Sequence, residues 1–300
     1  MRDGIVLEKP GTRSASRIAD YVDLTKPRIT LMVVLTGAVG YFLAGVGFSA
    51  AGLVHVVIGT ALVAAGASVL NQVRERDADA RMTRTANRAI PAGRIAPESA
   101  LRFGVGLGVA GTLYIVLTLN LVTALLAVAT LGSYVLIYTP LKKVTPFNTW
   151  VGAVPGALPP VGGWAAATGG RTGPEAWSLF LILFLWQLPH FLALAWLLRA
   201  DYRKGGFRML PVVDPDGKST GVHVAIAALA LLPASALPFA LGVSGVPYLA
   251  AALLLSAGYA GVSFAMVRRI DAPRARAVFL GSILYLPALM GALLIDKLAA

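Results

Sequence analysis

LVHVVIGTALVAAGASVL (residues 53–70) runs without a break into NQVRERDADARMTRTANR (residues 71–88), and the pair decides what kind of chain this is. The first segment has one ionisable side chain, His55, and with its neighbours reaches the ~20 apolar residues needed to cross a ~30 Å hydrocarbon core as a helix. The second places Glu75, Asp77 and Asp79 among arginines at the mouth of that helix. The rest of the 300 residues repeats the first pattern: 57% are hydrophobic, and they come in long blocks rather than in the periodic stripes of a water-soluble domain. About nine spans are expected, over 27–47, 50–70, 100–118, 121–139, 149–168, 177–198, 222–241, 246–267 and 277–296. The expected fold is therefore an all-α, polytopic membrane helical bundle. No linker or compositional break divides it, so 1–26 reads as a cytoplasmic N-terminal segment and 27–300 as one transmembrane domain.

The net charge of +12 is a matter of placement more than of sum. With nine spans, the N-terminal segment and the loops near 71–99, 140–148, 199–220 and 268–276 share one side and carry 24 of the 26 Lys and Arg residues, leaving Arg171 and Lys297 opposite. By the positive-inside rule that side is cytoplasmic, and the basic balance reads as topology in a lipid bilayer, not as nucleic-acid binding. The chain has no cysteine, which excludes disulfides, thiolate metal sites and cysteine nucleophiles. The first 26 residues lack the short apolar core of a signal peptide.

Asn71, Glu75 and Asp79 are spaced i, i+4, i+8, which keeps them near one helix face, while Asp77 points largely away. Two carboxylates and an amide offer only oxygen ligands, the preference of Mg²⁺, whose shell is commonly completed by water and substrate phosphate. Arg84 and Arg88 follow on one face, suited to bidentate phosphate contacts. The stretch is either a diphosphate cradle or a solvated interfacial loop with internal ion pairs. A second helix mouth, FLWQLPHFLALAWLLRADYRKGGFRMLP (184–211), brings Arg199, Asp201, Arg203 and Lys204, and a third, YTPLKK (138–143), brings Lys142 and Lys143 beside Tyr138. His190 stands at membrane depth after Trp186, Gln187 and Pro189, where an ionisable residue is a functional candidate. NTWVGAVPGALPPVGGWAAATGG (148–170) holds three prolines and six glycines, either for close helix packing or as a kinked wall around a bulky ligand, with Trp164, Trp186, Phe184 and Phe191 as aromatic surface.

These motifs resemble the UbiA-type intramembrane prenyltransferases over nearly the whole chain, and within them the haem-farnesylating branch. The carrying residues are Asn71, Gln72, Glu75 and Asp79 with RMTRTANR and IPAG, then WQLPHFLALAWLLRADYRKGGFRMLP, DLTKPRI, YTPLKK and GALPPVGGW. His190 stands where quinone-type members have the first aspartate of their second acidic motif, and Asp201 remains near its end. The resemblance implies transfer of the farnesyl group of farnesyl diphosphate to a vinyl group of haem B, with addition of water. It implies Mg²⁺ on Asn71, Glu75, Asp79 and Asp201, and diphosphate on Arg28, Arg84, Arg88, Lys142, Lys143, Arg203 and Lys204. Tyr138, Trp164, Trp186 and Phe191 would line the substrate cavity. His190 could ligate haem iron, hold a propionate, take a proton from the quenching water, or touch diphosphate. Product handover to a haem A synthase or an oxidase assembly is implied by the pathway. The alternatives are an aromatic prenyltransferase of quinone synthesis and, in another class, a transporter of anions or lipid diphosphates, which would carry polar residues toward both faces.

Overall fold

A computed structural model describes residues 16–45 and 48–299. The remainder of the expected N-terminal segment lies outside the described residues. Among those described, every regular element is helical: α1 (Arg17–Leu24), α2 (Pro27–Leu43), α3 (Ala50–Asp79), α4 (Pro97–Thr118), α5 (Leu121–Gly132), α6 (Thr139–Leu141), α7 (Asn148–Ala157), α8 (Pro159–Ala167), α9 (Pro174–Leu197), α10 (Arg199–Lys204), α11 (Leu210–Val213), α12 (Lys218–Ala240), α13 (Val246–Arg268) and α14 (Ala272–Ala299).

Among the described residues, seven helices are long and apolar enough to cross a membrane, counting Leu121–Leu141 as one. Two of the expected spans take other forms. The first is the 17-residue α2. The proline-rich fifth is split into α7 and α8 at Leu158, because Pro159 and Pro160 bring no N–H to the carbonyls before them. The chain is an integral, multi-pass membrane protein of all-α build. Its outward faces are greasy: Leu117, Leu254 and Leu284 are among many large apolar side chains left uncovered, as lipid contact requires.

The second span runs well past its expected end. Ser49 caps its start by accepting from the Gly52 N–H, and α3 then continues through Asp79, so the acid-bearing stretch is helix and not loop. Small residues set the spacing around it. Gly66 of α3 faces the backbone of Gly104 and Gly108 on α4, and Gly163 of α8 lies directly on the Gly37 carbonyl of α2.

A π-helical turn, Ser133–Tyr138, joins α5 to α6. Its i→i+5 pattern would give the Val135 carbonyl to residue 140, but Pro140 has no N–H. Arg74 supplies the missing donor from α3, Nη1 to Val135 O at 3.0 Å. A proline on one helix is thus answered by an arginine on another, and the end of α3 is pinned beside Lys142.

A Cβ on Gly163 would overlap the Gly37 carbonyl, whereas at Gly162 it would meet nothing within 4 Å. We expect Gly163→Ala to lower the thermal stability of the detergent-solubilised protein, by ~1–3 kcal/mol as an overpacking strain, and Gly162→Ala to leave it unchanged. Equal melting temperatures for the two variants would contradict the α2–α8 approach.

Candidate active site

The helix mouths converge. A cavity of about 510 Å³ opens at the end of α3, lined by Asp23 and Lys26, by Asn71, Glu75 and Asp79, by Arg84, Arg88 and Arg94 of the following loop, and by Tyr134, Lys142, Tyr202 and Phe207. Asn71, Glu75 and Asp79 are all buried, as the i, i+4, i+8 spacing requires of one inward face. Asp77 is exposed and pairs only with its neighbour Arg76, at 3.6 Å.

Each of the three inward residues meets a base from a different segment. Glu75 Oε1 lies 2.8 Å from Lys142 Nζ, Asp79 Oδ2 lies 2.7 Å from Arg88 Nη1, and Asn71 Oδ1 accepts from Lys26 Nζ at 3.1 Å. Burial is the largest influence on Lys142 and works against its charge, yet the Glu75 carboxylate together with Tyr138 and Tyr134 outweighs it and holds the lysine well above its ordinary pKa. The ammonium also sits 4.5 Å over the Tyr138 ring. Among the described residues, Lys26 has no carboxylate at hydrogen-bond distance. Burial, with the Arg88 charge adding, pushes its pKa down to about 7.

Asn71 has a defined orientation. Thr139 Oγ1 donates its proton to the Tyr134 carbonyl at 2.8 Å, so toward Asn71 it can only accept, and it takes the amide Nδ2 at 3.2 Å. Oδ1 is thereby turned to the cavity. Asp79 Oδ1 is buried and has no hydrogen-bond partner among the described residues, unlike Oδ2. An outward amide oxygen and an unpartnered carboxylate oxygen beside Glu75 form an all-oxygen donor set of the kind a hard divalent cation takes, so the residues fit Mg²⁺.

The other expected site residues are placed differently. Asp201 spends both carboxylate oxygens on backbone, accepting from Thr83 N at 2.8 Å and Arg84 N at 3.3 Å. It staples the 80–96 loop to the α9–α10 corner and does not line the cavity. Lys204 does similar work, donating to Thr83 Oγ1, and Arg203 reaches the Val212 carbonyl. Arg28 and Lys143 are exposed and stand outside the cavity lining. Trp164 is packed in the main apolar core. Trp186, His190 and Phe191 lie together on α9, away from the lining, with His190 and Trp186 turned to α14.

Lys26 is a cavity residue that motif reading left without a role. It is the one non-glycine residue with positive φ among those described, at 48°. The following proline disfavours the right-handed helical region for it, and the left-handed one costs roughly 1–2 kcal/mol. A lysine held in that strain, with its amine aimed inward, is the kind of outlier found at functional sites. The available signal was a lysine immediately before the proline that opens the first span.

Residues 33–288 match the UbiA prenyltransferase family. The chain belongs to that family. A Solibacter usitatus protein named protoheme IX farnesyltransferase is 46% identical, over 93% of this chain and 98% of its own. A Koribacter versatilis protein of the same name is 40% identical over 98% and 97%. Among solved structures, a digeranylgeranylglyceryl phosphate synthase superposes with a TM-score of 0.80 at 17% identity, covering 95% of this chain and 99% of that one. A UbiA homologue from Archaeoglobus fulgidus bound to GPP and Mg²⁺ superposes with a TM-score of 0.64 at 15% identity, covering 91% and 99%. The likeness to these UbiA structures is one of fold.

Because burial lowers the Lys26 pKa, a charged Lys26 destabilises the metal-free protein below pH 7, and that penalty is relieved as pH rises from about 7 toward the ordinary lysine value. We expect Lys26→Met to raise thermal stability relative to the parent at pH 6 and to lose that advantage by pH 9.5, read by melting in nanodiscs. A pH-independent difference would remove the strained, desolvated lysine from the energetics.

Proposed function

We propose that this chain transfers the farnesyl group of farnesyl diphosphate to a vinyl group of haem B, with water adding to the product, to give haem O and diphosphate. The observation that carries the reading is the cavity in which Asn71, Glu75 and Asp79 face Lys26, Lys142 and Arg88, an arrangement that handles diphosphate. The relatives named protoheme IX farnesyltransferase, 39–46% identical over 91–98% of this chain, support haem B as the acceptor.

Mg²⁺ bound by Asn71, Glu75 and Asp79 would neutralise charge that grows on the leaving diphosphate. Arg84, Arg88 and Lys142 bind the same group, with arginine forks matching phosphate oxygens in pairs. Arg94 lines the same cavity but is already held by Asp20, 3.0 Å away, and anchors α1 over it. The segments 80–96 and 199–217 are tied into a lid at this end of the bundle, Arg81 donating to the Gly205 carbonyl at 2.9 Å and Arg208 N to the Lys142 carbonyl at 2.7 Å, a cover that would limit water at the ionising bond. Asp201 acts as the staple of that lid. With its oxygens turned to the Thr83 and Arg84 amides, Asp201 stands outside the lining that would hold the metal. The basic residues at this end support its assignment to the cytoplasmic side of a prokaryotic inner membrane. Transfer of the product to a haem A synthase or an oxidase assembly is proposed from the pathway alone.

Incubation with farnesyl diphosphate, Mg²⁺ and haem B, followed by the mass of the porphyrin product, tests the reading. A prenylated hydroxybenzoate with untouched haem would establish a quinone-type enzyme, and vesicle uptake without conversion a transporter. Glu75→Gln and Asp79→Asn are each expected to lose ~10²–10³ in rate, the typical effect of one transition-state charge contact, and Asp77→Asn to retain near-parental turnover.

A further inference from the structure

His190 lies seven residues before the end of α9, ~10 Å along its axis. It does not line the diphosphate cavity. Its Nδ1 is 2.6 Å from Ser282 Oγ on α14. That hydroxyl donates to the Phe279 carbonyl at 2.5 Å, so its single proton is committed, and toward the imidazole it can only accept. Nδ1 therefore carries the ring proton and Nε2 keeps its lone pair. Nε2 has no hydrogen-bond partner among the described residues and is not sealed in the interior.

The ring is locked by what surrounds it. Trp186 stacks on it with centroids 5.1 Å apart, Phe279 lies at 4.9 Å, and Phe191 meets it edge-on at 5.0 Å. Trp186 is itself held by Nε1 donating to the Ser282 carbonyl at 2.8 Å. Ser282 thus fixes the imidazole through its hydroxyl and the indole through its backbone. Phe191 is 39% exposed, so the group opens toward the bilayer, where an apolar macrocycle would arrive. A histidine of purely structural role would have its second nitrogen partnered or sealed. This one has a proton-bearing nitrogen on an acceptor and a bare nitrogen outward, the arrangement by which histidine ligates metals.

We propose that His190 Nε2 is an axial ligand to the iron of the haem substrate, and that Ser282 is the positioning residue that fixes its tautomer and ring plane. The assignment rests on the haem-farnesylating reading above.

The test compares haem B with iron-free protoporphyrin IX, each titrated into the full-length protein in nanodiscs. His190→Ala is expected to weaken haem B binding and shift its Soret band while protoporphyrin IX binds as before, which also reports that the variant is folded. Ser282→Ala is expected to weaken haem B roughly tenfold, within the usual effect of removing a partner of a metal-bound histidine, and Ser282→Thr to restore it. Equal losses for both porphyrins, or no loss for either, would overturn iron ligation and leave the haem reading standing. Failure of the parent protein to bind either porphyrin would overturn both.

Discussion

Two carboxylates buried at the end of a membrane helix are the constraint on which this structure turns. Removing a carboxylate from water is prohibitive unless a counter-charge meets it, and Glu75 and Asp79 are met by Lys142 and Arg88 from separate segments. That requirement dictates much of the surrounding build. Lys142 arrives where the helix through Leu141 ends and the chain turns. The π segment Ser133–Tyr138 runs into α6, and the carbonyl that Pro140 leaves bare is served by Arg74 of the same acid-bearing helix. Arg88 arrives because the 80–96 loop folds back over the cavity. That loop is held by Asp201 and Arg81 on one side and by the Asp20–Arg94 pair on the other.

Within this frame, hydroxyls whose protons are already committed decide how functional side chains face. Thr139 gives its proton to the Tyr134 carbonyl and so turns the Asn71 amide oxygen inward. Ser282 gives its proton to the Phe279 carbonyl and so sets the His190 tautomer. In both cases a helix carbonyl of the local backbone controls a group on another helix. The device suits a membrane interior, where no water is at hand to reorient a polar group and each donor must find a fixed acceptor.

The architecture was legible because the bilayer imposes it. Blocks of apolar residues located the long spans, and 148–170 announced its break through its prolines. The i, i+4, i+8 rule placed Asn71, Glu75 and Asp79 on one buried face and Asp77 outside it, since a helix continuing past the membrane edge keeps its period. Reading was weaker where position depends on distant segments. Nothing local shows that Asp201 would be consumed by the amides of Thr83 and Arg84, 117–118 residues away in sequence. Nor does the motif containing Lys26 reveal its inward amine, which follows from a strained backbone and from the depth of α1 and α3 around it. Arg28, one turn of reasoning away, has the same charge and an exposed side chain.

Charge at this end of the bundle therefore serves two ends that cannot be tuned separately. The basic residues that would hold these loops on one side of the membrane include the ones that neutralise Glu75 and Asp79 in the ligand-free cavity. Deleting Lys142 leaves Glu75 buried with no partner, and breaking such a pair typically costs 3–5 kcal/mol; deleting an exposed base such as Lys143 leaves no comparable debt. On the proposed reading, a diphosphate entering the cavity would meet bases whose carboxylate partners a metal would take over, so that cation and anion would exchange partners without any charge being left alone. On that reading topology and chemistry would draw on the same side chains, and the acids at the mouth of α3 would bind the two together.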